Sequence, residues 1–204
     1  MKAPVTIPAL DVLVIGSSTG GPSALGQLLG QLSSSFPAPI IIVQHLEEEF
    51  IQGFVQWLRE VTDLEGDALQ HGTVLQPGRF YVVRALGELA ISRGGCAAYS
   101  PYSVRPRVAP NIDALFLSLA CTELRGAAVL LTGMGEDGAR GIALLSKAGW
   151  FTYVQSPECC AVDGMPSAAL RLSNRHTVAA PMEIGQSLKM FSLAAKRRPY
   201  VHSL

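Results

Sequence analysis

The chain has 204 residues, of which 49% are hydrophobic and 16% are charged, so it can bury a large core and lacks the composition of a disordered protein. Lysine and arginine together (16) balance aspartate and glutamate (16), and this excludes a global field that would attract nucleic acid or anionic membranes. No apolar run approaches the roughly 18 residues of a membrane span, so we expect neither nucleic-acid binding nor membrane insertion.

The cysteine and histidine content also limits the possible functions. The four cysteines, at positions 96, 121, 159 and 160, show no CxxC spacing, and the four histidines lie elsewhere in the chain. This pattern predicts neither a disulfide framework nor a metal site, and it is typical of a reducing compartment. We therefore expect a cytoplasmic protein that uses no metal or other cofactor.

The first half of the chain predicts alternating strands and helices. Residues 1–10 contain two prolines and are predicted to form a short leader without the features of a signal peptide. The β-branched run at 11–15 predicts a buried strand, and apolar residues spaced along 25–32 predict a helix after it. A second strand is predicted at 40–43 and a second helix at 50–58.

The segment 66–110 has a different character. Short extended runs at 73–75, 79–84 and 88–92 are separated by glycines, which predicts hairpins or edge strands rather than another strand–helix–strand unit.

The alternation then resumes. Helices are predicted at 112–124, up to Lys147 and near 166–172, with strands at 127–131 and 150–154. Residues 186–204 are expected to be a C-terminal tail. The whole pattern predicts one domain over 1–204 of the α/β class: a doubly wound, mostly parallel sheet with helices on both faces and a β-hairpin insertion.

Three predicted strands end in residues that can carry chemistry. Residues 16–20, GSSTG, fit the G-x-S-x-G pattern of a strand–turn–helix that exposes its central serine, Ser18. Ser17 competes with Ser18 for this role. The alternative is a helix-capping or phosphate-cradling turn, in which Ser18 or Thr19 only caps the helix. Serine at position 18 and the lack of a following Gly-Lys exclude the dinucleotide-binding and Walker A loops.

A base and a carboxylate follow the other two strands. His45 is the histidine that directly follows an apolar strand, one crossover away from Ser18, and histidine can accept the serine proton near neutral pH. The loop 132–138 offers Glu136 and Asp137 as the group that orients the imidazole. Asp137 precedes glycine and is preferred, although most Asp-Gly pairs are simple turns.

These segments together resemble the CheB family of chemotaxis-receptor glutamate methylesterases. The matching stretches follow in family order from about residue 12 to residue 170, which is most of the chain. They are IGSSTGG at 15–21, VQH at 43–45, PNIDALF at 110–116, LTGMGEDGA at 131–139 and GMP at 164–166.

The resemblance implies hydrolysis of γ-glutamyl methyl esters on the cytoplasmic domain of methyl-accepting chemoreceptors. It implies Ser18 as nucleophile, His45 as general base and Asp137 as the orienting acid. It further implies the amide of Met134 as an oxyanion donor and a substrate loop at Gly164, Met165 and Pro166. For the second oxyanion donor we expect an amide of the 19–21 turn, that of Thr19.

The resemblance also implies regulation and alternative activities. Family members commonly carry a receiver domain before the esterase, whereas about ten residues precede the first strand here, so we expect the catalytic domain without it. A phosphorylated receiver domain or a histidine kinase is a possible partner. The alternatives to the esterase are receptor glutamine deamidation and a non-catalytic nucleotide-binding or scaffold module.

Overall fold

The computed structural model describes residues 9–103 and 108–196, so most of the predicted leader and residues 197–204 lie outside it. Within these ranges the chain forms strands and helices in alternation. The strands are β1 (Val12–Ser17), β2 (Ile40–Gln44), β3 (Glu65–Ala68), β4 (Arg79–Val82), β5 (Glu88–Ile91), β6 (Ala97–Ser100), β7 (Gly126–Leu130), β8 (Phe151–Gln155) and β9 (Thr177–Ala179). The α-helices are α1 (Gly21–Leu29), α2 (Ile51–Val61), α3 (Ile112–Ala120), α4 (Ala139–Lys147), α5 (Gly164–Leu172) and α6 (Pro181–Lys196).

Seven strands form one parallel sheet in the order β3-β4-β2-β1-β7-β8-β9. β1, β2 and β7 are buried along their whole length. Such strands are apolar throughout because helices cover both faces of a parallel sheet. β5 and β6 form a separate antiparallel hairpin. The predicted α/β class, with a mostly parallel sheet and a hairpin insertion, is confirmed.

The helices divide between the two faces of the sheet. Apolar side chains of α1, α2 and α6 share one core cluster, and those of α3, α4 and α5 share the other. After β1, the strands β2, β3 and β4 are added on one side of β1. The strands β7, β8 and β9 are then added on its other side. The strand order therefore reverses between β1 and β7, and sheets of this kind bind ligands at the carboxyl ends of the strands beside that reversal.

Residues 66–110 were predicted to form hairpins or edge strands. This prediction is right for the β5–β6 hairpin and wrong for β4. β4 lies inside the sheet, parallel to both β2 and β3. Phe80, Tyr81 and Val82 are buried there, and a strand buried on both faces packs best with a neighbour on each side. Residues 73–75 contribute only an isolated bridge from Val74 to Cys96.

The expected tail at 186–204 was wrong for its first part, since residues up to Lys196 belong to α6. Ile184, Leu188 and Phe191 are spaced by four and three residues and are buried in the core cluster shared with α1. At Gly185 a Cβ would lie 2.4 Å from the carbonyl oxygen of Leu28, so glycine lets the two helices approach closely. Within the described ranges, no helix has the length and apolar character needed to cross a membrane.

Replacement of Leu188 by alanine tests whether α6 is an integral part of the core. Leu188 is fully buried, so Leu188→Ala should lower the free energy of unfolding by about 2–5 kcal/mol. Met190, on the same helix, is 52% exposed, and Met190→Ala should change it by less than about 0.5 kcal/mol. Denaturant unfolding measures both. Equal effects of the two substitutions would show that α6 is not packed as described.

A buried histidine gives the fold a pH-dependent stability. His176 accepts or donates one hydrogen bond, 2.9 Å from its Nδ1 to Oγ1 of Thr152, and its buried Nε2 has no partner among the described residues. Burial lowers the pKa of His176. The unfolded chain therefore takes up a proton below about pH 6.5 that the folded chain resists, so stability should fall as the pH drops through that value.

The contribution of His176 can be isolated by comparison with His176→Gln, which cannot take up the proton. Between pH 7.5 and 5.5 the parent protein should lose more unfolding free energy than the variant does. Parallel stability curves for the two proteins would contradict this prediction.

Candidate active site

The strand order brings three functional loops to one edge of the sheet. β2, β1 and β7 are neighbours, and all three run in the same direction. Ser18 directly follows β1, His45 directly follows β2, and the loop with Asp137 follows β7. The arrangement predicted from the strand ends is thus the one that the sheet provides.

His45 and Asp137 form the central contact of this edge. Nε2 of His45 lies 2.8 Å from Oδ2 of Asp137, and both side chains are only 13% exposed. In the neutral imidazole one nitrogen carries the proton and the other accepts. Because the carboxylate can only accept, Nε2 is the donor and Nδ1 is left as the basic nitrogen of His45.

Asp137 also receives two backbone amides from the start of α3. The amide of Ile112 donates to Oδ2 at 2.9 Å, and the amide of Asp113 donates to Oδ1 at 2.8 Å. Burial raises the pKa of Asp137, but the hydrogen bonds from His45, Asp113 and Ile112 outweigh it and hold that pKa below its ordinary value. Asp137 is therefore a fixed anion, well suited to orient an imidazole.

Glu136, the other candidate carboxylate, pairs with a residue other than His45. Glu136 is 75% exposed and forms an ion pair with Arg171, 2.9 Å between the charged atoms. Of the two carboxylates that the sequence left open, only Asp137 contacts His45 among the described residues.

The two adjacent serines also differ in their surroundings. Ser17 is fully buried, and its hydroxyl donates to Oε1 of Gln44 at 2.7 Å. Ser18 is half-buried, and its amide donates to the carbonyl of Thr132 at 3.0 Å. Across the described ranges the Ser18 hydroxyl makes no hydrogen bond to His45, so this contact of the triad stays a prediction; such contacts are often long in the absence of substrate.

Gln44 is a site residue that the sequence reasoning missed. This buried side chain donates from Nε2 to the carbonyl of Ser18 at 3.0 Å and to that of His45 at 3.1 Å. The His45 amide in turn donates to the carbonyl of Ser17 at 3.1 Å. One amide group thus links the serine turn to the histidine. Its position as the last residue of an apolar strand was the available signal.

Gln155 holds the opposite side of the site in the same manner. It ends β8, and its Oε1 accepts the Thr132 amide at 2.9 Å while Nε2 donates to the carbonyl of Cys159 at 2.8 Å. The Thr132 hydroxyl lies 3.0 Å from the carbonyl of Thr19 and accepts the amide of Val162 at 3.0 Å. These bonds join the serine turn, the loop after β7 and the loop after β8.

The candidate oxyanion donors lie on the same loops. The amides of Thr19 and Met134 donate to no protein acceptor within residues 9–103 and 108–196. The Met134 side chain is 70% exposed. A Cβ at Gly133 would lie 2.7 Å from Cβ of Ser18, so glycine allows this loop to approach the serine.

The predicted substrate loop is a helix start instead. Gly164, Met165 and Pro166 are the first residues of α5, and the side chains of Met165 and Pro166 are buried. The amide of Met165 donates to the carbonyl of Gly133 at 3.0 Å. The segment therefore supports the loop that carries Gly133, and its contact with a substrate stays a prediction.

A cavity of about 420 Å³ is lined in part by Asp137. Its lining includes Asp113, Arg140 and Arg171 but neither Ser18 nor His45, so we do not assign the reacting group to it. Among the described residues, no group of three histidine, cysteine, aspartate or glutamate side chains is placed to hold a metal ion.

A serine turn, an imidazole and an oriented carboxylate at the carboxyl edge of a doubly wound sheet are typical of serine hydrolases. The family model described as CheB methylesterase matches residues 13–188. The chain belongs to the CheB methylesterase family.

Curated relatives carry a more specific name. "Protein-glutamate methylesterase/protein-glutamine glutaminase 3" of Myxococcus xanthus is 40% identical over 82% of this chain and 47% of its own length. The protein of the same name from Anaeromyxobacter dehalogenans is 36% identical over 93% of this chain and 56% of its own length. The chain therefore spans about half the length of these relatives.

A solved structure shows the same fold. The Thermotoga maritima CheB methylesterase catalytic domain is 28% identical and superposes with a TM-score of 0.80, over 91% of this chain and 100% of that one.

Substitution of Gln44 tests the link between the serine turn and the histidine. Gln44→Met keeps the size of the side chain but removes its bonds to the buried Ser17 hydroxyl and to the carbonyls of Ser18 and His45, of which the Ser18 carbonyl still accepts the Gly21 amide. The free energy of unfolding should therefore fall by about 1–3 kcal/mol. Gln56 is exposed and, within the part of the chain that the structure describes, its side chain bonds only Glu60, one turn along α2. Gln56→Met should therefore change the free energy of unfolding by less than about 0.5 kcal/mol. Denaturant unfolding measures the stability of both variants. If the Gln44 variant is as stable as the parent protein, Gln44 does not link the serine turn to the histidine.

Proposed function

We propose that this chain hydrolyses γ-glutamyl methyl esters on the cytoplasmic domain of methyl-accepting chemoreceptors. Ser18 is the nucleophile, His45 the general base and Asp137 the orienting acid. The observation that carries the proposal is the 2.8 Å hydrogen bond between His45 and Asp137, beside a G-x-S-x-G turn. The family match and the names of the curated relatives support the substrate class.

The reaction follows from the positions of these groups. Nδ1 of His45 accepts the hydroxyl proton while Oγ of Ser18 bonds to the ester carbonyl carbon. The carbonyl oxygen becomes an oxyanion, which the free amides of Thr19 and Met134 can stabilise. The imidazolium gives its proton to the leaving methoxide, and methanol departs from a glutamyl ester of Ser18.

The second half repeats these steps with water. His45 takes a proton from the water that attacks the glutamyl–enzyme, and the same proton then returns to Oγ of Ser18. Asp137 stabilises the imidazolium in both halves, since it stays anionic. The products are a free glutamate carboxylate and the regenerated serine. These residues complete the cycle without a cofactor.

Glutamine deamidation is the second candidate activity. The names of the curated relatives include protein-glutamine glutaminase. A primary amide forms the same glutamyl–enzyme with ammonia as leaving group. A non-catalytic nucleotide-binding or scaffold module has less support, because such a module would not need an anionic Asp137 aligned with an imidazole.

The proposal also covers where the reaction takes place and how it is regulated. The modified receptor helices lie in the cytoplasm, so we place the reaction there. Control by a phosphorylated receiver domain or by a histidine kinase fits the resemblance to the family. Exposed groups around the site, among them Thr19 and Met134, offer such a partner a surface next to the nucleophile.

Replacement of Ser18 by alanine is the direct test. Because the members of a triad act as a unit, Ser18→Ala should reduce methanol release from methylated receptor fragments by at least about 10⁴-fold. Ser23, exposed on α1, provides the matched control, and Ser23→Ala should retain full activity. Methanol is measured from the methyl-ester fragments and ammonia from fragments that carry glutamine.

The outcomes separate the candidates. Methanol release near the parent rate by Ser18→Ala would refute the assignment of the nucleophile. Ammonia release without methanol release would favour the deamidase. A protein that a fluorophosphonate does not label at Ser18, and that releases neither product, would favour the non-catalytic module.

A further inference from the structure

The starts of helices α3 and α4 lie side by side. A carboxylate just before α4 accepts amides of α3, and a carboxylate in α3 accepts an amide of α4. Asp137, just before α4, accepts the amides of Ile112 and Asp113 in α3. In the opposite direction, Oδ1 of Asp113 accepts the amide of Gly141 in α4 at 2.7 Å. The amides at the start of a helix have no partner within the helix and favour negative charge. The two helix starts are therefore locked together by a reciprocal exchange.

Two glycines make this exchange possible. A Cβ at Gly141 would lie 2.4 Å from Cβ of Phe116, and a Cβ at Gly138 would lie 2.7 Å from Cγ2 of Ile112. Gly138 also has a positive φ of 87°, which suits glycine best. At these two positions the start of α4 has no side chain and packs directly against side chains of α3, so a displacement of the start of α4 moves Asp137 with it.

The bond from Asp113 to α4 is not needed to cap α3. The N-cap of α3 is Asn111, whose side chain accepts the amide of Ala114 at 2.6 Å. The carboxylate of Asp113 instead points across to the next helix. Its role is thus separable from the stability of its own helix.

We propose that Asp113 is a positioning residue for Asp137: its carboxylate holds the start of α4 through the amide of Gly141, so that Asp137 presents Oδ2 to His45. The inference rests on the proposed function of Asp137 as the orienting acid. Among the described residues Asp113 forms no hydrogen bond with Ser18 or His45, and in this proposal it acts through Asp137.

The charges around Asp113 are consistent with this role. Burial and the neighbouring Asp137 raise the pKa of Asp113 above its ordinary value, although the amide of Gly141 and the charge of Arg140 act in the opposite direction. Two carboxylates so close would repel each other in isolation. Each accepts amides of the opposite helix, which offset part of this repulsion and fix the direction of both carboxylates.

The first test compares Asp113→Ala with Asn111→Ala, each normalised to the number of sites that a fluorophosphonate labels. Loss of the Gly141 bond lets Asp137 shift, and a shift of this kind should lower kcat about 10- to 100-fold while KM changes less than about threefold. Asn111→Ala removes a cap of the same helix and should leave kcat within about twofold, because the link to α4 remains. Asp113→Asn retains an acceptor oxygen and should restore kcat to within about threefold of the parent.

A double-mutant cycle separates positioning from a general structural role. If Asp113 acts through Asp137, then Asp113→Ala should have no effect on the labelling rate in a protein that already carries Asp137→Ala. The same fold loss in both backgrounds would overturn the proposal. If Asp113→Ala does not fold, Asp113→Glu serves instead, since it keeps charge and acceptor, has room in the adjoining cavity and changes only the reach. Unchanged kcat in that variant would also overturn it.

A parallel Ser18→Ala sample distinguishes the two levels of the argument. If Ser18→Ala is inactive while Asp113→Ala has the kcat of the parent, the positioning role fails and the proposed function stands. If Ser18→Ala is active, the proposed function fails, and the role of Asp113 loses its basis.

Discussion

The carboxylate of Asp137 is the point on which the site depends. It joins three elements, since it accepts two amides from the start of α3 and one imidazole N–H from the end of β2, and it stands just before α4. Hydrogen bonds to the charged form keep it anionic in a place where burial alone would favour the neutral acid. This anion decides which nitrogen of His45 carries the proton. The chemistry of the histidine is thus set by the packing of two helices against each other.

The sheet supplies the remaining geometry through buried polar side chains. Parallel strands bring loops to one edge but leave their backbone groups without partners there, and buried groups of this kind need hydrogen bonds. Gln44 and Gln155, at the ends of two strands on either side of β1 and β7, satisfy these groups and connect the loops. The positions of the serine, the histidine and the loop with Asp137 therefore depend on one connected network.

The parts predicted from sequence are those whose signal is local. An apolar run that ends in a reactive residue marks both a strand and its carboxyl end, and this sufficed to predict the parallel sheet. It also put Ser18, His45 and Asp137 forward as candidates, of which the structure brings His45 and Asp137 into contact. The placement of β4 could not be predicted, because a four-residue strand shows its partners only in three dimensions. α6 did have a periodic signal at Ile184, Leu188 and Phe191, which was overlooked. Gln44 and Asp113 act through bonds to distant parts of the chain, and no spacing rule reveals such bonds.

The surroundings of the site support the proposed substrate, a side chain that is carried on a large molecule. Thr19 and Met134 are exposed at the carboxyl edge, and Phe50, five residues after the histidine, is 56% exposed. A site with an exposed rim can accept the end of a side chain while the rest of the substrate stays outside. In the proposed reaction the side chains of Ser18, His45 and Asp137 must then be held in place by the protein itself. The buried glutamines and the hydrogen bonds between the starts of α3 and α4 hold these groups in position. The open edge of the sheet leaves them accessible to a substrate.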